Sequence, residues 1–111
     1  MSKREIDLYI IDILESSKKI KKYIKDMTFV EFKKDERTLD AVIRNLAVIG
    51  EAAYHLPKEF KKEYPEIPWL DISDMRNKLI HEYFGVDSEI LWKTINEDLP
   101  ALVIKIKNIE L

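Results

Sequence analysis

Leu39-Asp40-Ala41-Val42-Ile43-Arg44-Asn45-Leu46-Ala47-Val48-Ile49-Gly50-Glu51-Ala52-Ala53-Tyr54-His55-Leu56 is the stretch from which the fold can be read. Leu39, Val42, Ile43, Leu46, Ile49, Gly50 and Ala53 recur at three- and four-residue steps. They make one apolar stripe, as wide as a core-facing helix needs. Gly50 stands in mid-helix, where it costs roughly 1 kcal/mol relative to alanine. Together with Ala52 and Ala53 it implies close approach by another helix. On the opposite side Arg44, Val48, Glu51 and His55 line up at steps of four, three and four. That side is either a solvated face or a surface for dimerisation or for lining a cleft. Asp35 or Thr38 is placed to cap the start of the helix, and Pro57 ends it.

The chain on either side repeats the helical pattern. Toward the N-terminus, Thr28 to Glu36 breaks the period, and Phe29, Val30 and Phe32 are expected to anchor a connection. Before it, about Arg4 to Met27 predicts a long helix. Ile6, Ile10, Ile13, Ile20, Ile24 and Met27 form its stripe, Ser17 fills the missing position, and Tyr9 and Leu14 widen it. Ser2 is the candidate N-cap. Toward the C-terminus, Lys58 to Tyr64 predicts a short helix with Pro57 suited to its first turn. Pro65 to Pro68 is an extended connector, and Trp69 and Leu70 begin another helix that Gly85 stops. Asp87 or Ser88 caps a last helix, with Ile95, Leu99, Leu102, Val103, Ile106 and Ile109 on its apolar face. Pro100 inside that run predicts a kink, since an interior proline costs about 3 kcal/mol. Four amphipathic helices and a short one, joined by short loops, predict an all-α antiparallel four-to-five-helix bundle in a single domain, 1–111.

Composition supports helices and narrows the class. A chain of 111 residues carries one modest core. With 2 Gly and 4 Pro there are few turn residues for a sheet. The lack of cysteine excludes disulfides and thiolate metal sites. No apolar run reaches ~18 residues, so no membrane span is expected. The opening residues lack a signal-peptide pattern, and the cytoplasm is the simplest compartment. A net charge of -2 argues mildly against a general nucleic-acid coat protein but leaves room for a local positive cleft. Lys18, Lys19, Lys21, Lys22 and Lys25 form one basic cluster, and Lys58, Lys61 and Lys62 a smaller one. Both are most simply solvated helix faces. The two histidines lie in separate segments, and neither a metal-ligand spacing nor a glycine-rich phosphate loop stands out. No metal and no cofactor is expected.

The segment Asp74-Met75-Arg76-Asn77-Lys78-Leu79-Ile80-His81-Glu82-Tyr83 carries the candidate chemistry. At about 100° per residue, Ile72, Leu79, Ile80 and Tyr83 share one helix face, with Trp69 and Met75 at its edges. Asp71, Asp74, Lys78 and Glu82 take the other. Arg76 falls inside the apolar stripe. An unpaired charge out of water is expensive, so Arg76 needs a carboxylate from elsewhere in the fold or an anionic ligand. Its planar fork suits either carboxylate or phosphate. Glu51 is the candidate partner. His81 lies on the rim of the polar face, within i, i+4 reach of Asn77.

Arg76-Asn77-Lys78-Leu79-Ile80-His81-Glu82-Tyr83, an R-x4-H-x-Y pattern, resembles the signature of the HEPN ribonucleases and most closely that of the HepT toxins. Further landmarks extend the resemblance along most of the chain. They are Asp40-Ala41-Val42-Ile43-Arg44-Asn45-Leu46, Ile49-Gly50-Glu51-Ala52-Ala53, Pro65-Glu66-Ile67-Pro68-Trp69 and Leu99-Pro100-Ala101-Leu102. A bare R-x4-H occurs by chance in many proteins; the landmarks in this order make the pattern much more specific.

Metal-free RNA cleavage needs a 2′-OH nucleophile, proton transfers and stabilisation of charge on a pentacoordinate phosphate. An imidazole suits the proton transfers and a guanidinium the charge. His81 and Arg76 are therefore the candidate catalytic pair, with Asn77 to orient the imidazole or contact phosphate and Glu51 as support. On an ideal helix Arg76 and His81 are about 140° apart, so either Arg76 reaches round or the cleft is composite. A dimer would supply two histidines, one as base and one as acid. The resemblance implies such a homodimer with a shared cleft. It also implies a type VII toxin–antitoxin system, in which an MntA-type nucleotidyltransferase antitoxin adenylylates Tyr83 and so blocks the cleft to RNA. The alternative is a non-catalytic nucleotide- or substrate-binding partner subunit of a nucleotidyltransferase, with Arg76 gripping a phosphate. The overall acidity leans toward it and the intact motif leans toward the nuclease. A purely structural dimerisation domain would leave the histidine, arginine and tyrosine without a purpose.

Overall fold

The Ser2 hydroxyl accepts a hydrogen bond from the Glu5 amide and opens α1 (Lys3–Tyr23), as its position in the sequence predicts. The computed structural model describes residues 1–81 and 87–109, with Ile80 and His81 described by their backbone alone. The helix ends about one turn before the expected Met27. Asp26 sits at φ 62°, a left-handed conformation that aspartate tolerates better than most residues, and the chain reverses there.

The connection that follows is itself helical, which corrects the sequence expectation. Thr28 and Glu31 form a capping box: the Thr28 hydroxyl accepts from the Glu31 amide, and the Glu31 carboxylate accepts from the Thr28 amide. They start α2 (Phe29–Lys34), too short for a helical period to show. Asp35 then caps α3 (Glu36–His55), its carboxylate accepting from the Thr38 amide at 3.1 Å. Pro57 sits just outside α4 (Lys58–Lys62), in the capping position. Next comes α5 (Trp69–His81). The Trp69 indole N–H donates to the carbonyls of Lys61 and Tyr64, fastening the start of α5 to the end of α4. The Gly85 stop lies outside the described residues.

Asp87 caps α6 (Ser88–Lys93) by accepting from the amides of Glu89 and Ile90. The predicted kink at Pro100 takes the form of a π-helical stretch, Thr94–Asp98, leading into α7 (Leu99–Lys107). Pro100 has no N–H to give, and its ring would crowd the carbonyl four residues back. The wider turn resolves both: the Leu99 amide reaches back to the Thr94 carbonyl.

Helix directions follow from which ends meet. Tyr9, early in α1, touches His55 at the end of α3. Gly50, toward the end of α3, lies against Ile72 and Arg76, while Leu46, one turn earlier in α3, shares a pocket with Met75 and Leu79, further along α5. Thus α1 and α5 both run antiparallel to α3, and they make the most extensive contacts in the bundle. The stripe read from the sequence is the one buried: Val42, Leu46, Ile49, Gly50 and Ala53 face the core. They meet Ile10, Ile13 and Ile20 of α1, Ile72 and Leu79 of α5, and Leu91, Ile95, Leu99, Leu102 and Ile106 of the C-terminal rod. Ser17 fills its gap by donating to the Ile13 carbonyl at 2.7 Å. All described elements are helical, and among them no helix is long and apolar enough to cross a membrane.

Gly50 sets the spacing of α3 and α5. A Cβ there would collide with Arg76 Cβ and lie 3.0 Å from the Ile72 carbonyl oxygen and 3.1 Å from Arg76 Cα. Backbone atoms cannot yield as a flexible side chain can. Gly50→Ala should gain about 1 kcal/mol of helix propensity but cost more through overpacking, commonly about 1–3 kcal/mol. Urea denaturation should therefore show net destabilisation; a higher midpoint would mean that the two helices separate freely.

Candidate functional site

The close approach at Gly50 puts its neighbour Glu51 beside Arg76, 25 positions on in the sequence. Glu51 Oε2 accepts from Arg76 Nε, so the partner expected for the half-buried arginine is the one it has. The other oxygen, Oε1, pairs with His55 Nε2 at 2.7 Å, one helical turn further along α3. Arg76 also donates from a terminal nitrogen to Asn77 Oδ1 at 2.8 Å. Histidine, glutamate, arginine and asparagine thus form one chain of hydrogen bonds across α3 and α5.

Two tyrosine rings flank it. The Arg76 guanidinium carbon lies 5.2 Å from the centre of the Tyr54 ring, a cation–π distance. His55 meets Tyr54 edge-on at 5.3 Å and stacks on Tyr9 of α1 at 5.8 Å with 19° between planes. The cluster is open: Glu51 is 43% exposed and Arg76 26%. A guanidinium has five N–H donors. Among the described residues two are taken, one by Glu51 and one by Asn77.

Glu51 is the electrostatic hinge of this arrangement. The hydrogen bond to His55 is the main cause holding its carboxyl below the ordinary 4.5, Arg76 adds to it, and desolvation partly opposes both. Because the pair is well exposed, its contribution to stability is small, about 0–1 kcal/mol at most. It fixes where the arginine points more than it holds the bundle together.

The structure brings together three of the residues picked from sequence: Arg76, Asn77 and Glu51. Asn77 turns its carbonyl oxygen to Arg76, a partner the sequence reading did not consider. The His81 side chain and Tyr83 lie outside the described residues. The Arg44, Val48, Glu51, His55 side of α3 divides in use, Arg44 and Val48 facing solvent while Glu51 and His55 join the cluster. His55 was legible as a site residue, since Glu51 and His55 stand at i, i+4. Tyr54 and Tyr9 were not, because their placement depends on how α1, α3 and α5 cross. Of the smaller basic cluster, Lys61 is structural: its ammonium donates to the Ala53 carbonyl, and burial lowers its pKa, with Lys58 adding to the effect. A groove of about 480 Å³ lies elsewhere. It is lined by Leu46, Ile72, Met75, Leu99 and Leu102, with Asp71, Asp98 and Lys105 also on its walls.

Residues 13–109 match the family described as Ribonuclease HepT-like. The chain belongs to the HepT-like ribonuclease family. It is 47% identical over 100 residues to a Thermococcus cleftensis protein named "Probable ribonuclease HepT", covering 90% of this chain and 91% of the relative. A Methanocaldococcus jannaschii protein named "Putative RNase MJ0127" is 44% identical over 109 residues, covering 98% and 90%. "Putative RNase TTE0752" of Caldanaerobacter subterraneus subsp. tengcongensis is 42% identical over 101 residues, covering 91% and 90%. No solved structure matches the chain. For this HepT-like chain the class of activity is therefore ribonuclease, and the Glu51–Arg76 cluster lies within the matched region.

A depressed carboxyl pKa stabilises the fold above the ordinary glutamate value, and that contribution is lost as the pH falls through the lowered value. Glu51→Gln should thus be less stable than the parent at pH 7 by up to about 1 kcal/mol. The gap should close as the pH drops below 4.5, which urea midpoints across that range would show. A gap independent of pH would mean that the Glu51 charge contributes nothing.

Proposed function

We propose that this chain is a metal-independent endoribonuclease, the toxin half of a type VII toxin–antitoxin pair, which cuts RNA at the Arg76–His81 motif. The observation that carries the reading is an arginine positioned by a carboxylate yet still open to an anion, in a chain of a ribonuclease family. Arg76 takes the charge that builds on the phosphate, acting as a preorganised donor. Glu51 aims the guanidinium, and Asn77 restrains its terminal nitrogen. His81 transfers a proton between the reacting ribose and the phosphate ester. Two copies pair with their motifs on a common cleft. Tyr83 is the position at which an MntA-type nucleotidyltransferase adds adenylate, and the added negative charge repels RNA phosphate. Pair and antitoxin work in the cytoplasm.

Purified protein in excess EDTA should cut RNA to products ending in a cyclic phosphate. His81→Ala and Arg76→Ala should each slow the reaction by about a hundredfold or more. Undiminished cutting by His81→Ala would remove the motif from the mechanism. Nucleotide binding by calorimetry without RNA turnover would favour the partner-subunit alternative. Intact mass after co-expression with a nucleotidyltransferase antitoxin should rise by one or more adenylates, and the rise should vanish in Tyr83→Phe. An unchanged parent mass would remove this form of silencing.

A further inference from the structure

A strand held at one phosphate can still swing, and contacts to neighbouring phosphates are what fix its register. The face of α3 that holds Glu51 carries a second arginine. Arg44, Val48, Glu51 and His55 stand along it at steps of four, three and four. Arg44 and Glu51 are about 10 Å apart along the helix axis. Over that heptad an α-helix drifts by only about 20°, so the two positions point the same way.

Arg44 is exposed and uncommitted. Among the described residues the ion pairs are those of Glu51 with His55 and Arg76, and no hydrogen bond engages the Arg44 side chain. Val48, the next residue along, is exposed and uncharged. The Glu51 carboxylate is taken up by Arg76 and His55, so this stretch is locally positive in a chain of net charge -2. Asp40, one turn before Arg44, bounds the stretch on that side. The motif helix lies alongside it. Gly50 packs against Arg76, and Leu46, one turn earlier in α3, shares a pocket with Leu79. The α5 backbone beyond Arg76 therefore runs back toward the level of Arg44, where the helix ends at His81. Arg76 on α5 and Arg44 on α3 thus stand at opposite ends of the motif.

We propose that Arg44 is a second phosphate-binding residue, which takes a backbone phosphate near the one at Arg76 on the same single strand of RNA. This rests on the proposed RNA cleavage at the Arg76 motif. A guanidinium offers phosphate two parallel N–H donors, which an ammonium cannot. A contact of this kind reads the backbone and not the bases, so it sets the strand's register without choosing a sequence. The strand lies along α3, with Val48 under the stretch between the two arginines. Arg44, Glu51 and Arg76 belong to one chain, so a cleft built from two copies carries the row twice, once from each copy.

The test uses the full-length protein, single-stranded RNAs of several sequences, and the same strands with 2′-deoxy sugars as uncleavable probes. Arg44→Gln should weaken probe binding about tenfold at low salt, by the same factor for every sequence. The slope of log affinity against log salt should become shallower by about 0.7, the value of one single-strand phosphate contact. KM on cleavable RNA should rise in step, while kcat stays within about threefold. Arg44→Lys keeps the charge and should keep the parent slope. Arg4→Gln removes the same charge from the start of α1 and should leave slope and affinity as in the parent. An unchanged slope and affinity in Arg44→Gln, with the parent cutting RNA, would overturn the role of Arg44 and leave the nuclease reading standing. A fall in kcat at unchanged probe affinity would also overturn it, as would a changed oligomeric state, which would make Arg44 an interface residue. An equal loss in Arg4→Gln would reduce the effect to net charge. A parent protein that leaves RNA intact would bring down the nuclease reading and this one together.

Discussion

The absence of a side chain at Gly50 is the constraint from which the site follows. It lets α3 lie against α5 so closely that an added Cβ would press on the Arg76 Cβ and on the α5 backbone. Interhelix distance normally depends on the side chains at the contact. Here the contact residue on α3 has none, so Arg76 comes within reach of Glu51 next door. Glycine in mid-helix is costly on its own, and what it permits here is an ionic contact between two helices. The apolar stripe and the charged site therefore meet at one residue.

The network built on that contact organises more than it stabilises. Exposed ion pairs add little to the free energy of folding, and this one is open to solvent on both members. Its value is geometric. Glu51 binds a histidine with one oxygen and an arginine with the other, while Asn77 and Tyr54 engage the same guanidinium. Among the described residues two of the five guanidinium donors are engaged, and the fork geometry suits a planar or tetrahedral anion. The apolar groove contains none of these residues, and the ionic cluster lies on an open helix face.

Much of this was legible in the sequence, for physical reasons that can be separated. The stripe of α3 and the caps Ser2, Asp35 and Asp87 are local and periodic, and they came through directly. The need of Arg76 for a partner was legible too, since a charge inside an apolar stripe has few tolerable surroundings. Glu51 was legible as that partner from its place on the Arg44, Val48, Glu51, His55 side of α3, readable as a cleft-lining face. Two features escaped because they are too short for a periodic pattern to repeat. The six-residue α2 is announced only by its capping pair, Thr28 and Glu31. The π-helical stretch is a local answer to Pro100, whose effect is readable as an interruption but not in its form. The ring cluster escaped for another reason. Tyr9, Tyr54 and His55 meet through the crossing of α1 and α3, and sequence spacing does not fix such a crossing.

The most direct measurement is a crystal structure with a short single-stranded RNA carrying a 2′-deoxy sugar at the scissile position. The account predicts a backbone phosphate hydrogen-bonded to the Arg76 guanidinium, with the Glu51 contact to Nε retained. RNA lying along the lysines of α1 or in the groove between α5 and α7, with Arg76 closed onto protein groups alone, would contradict it.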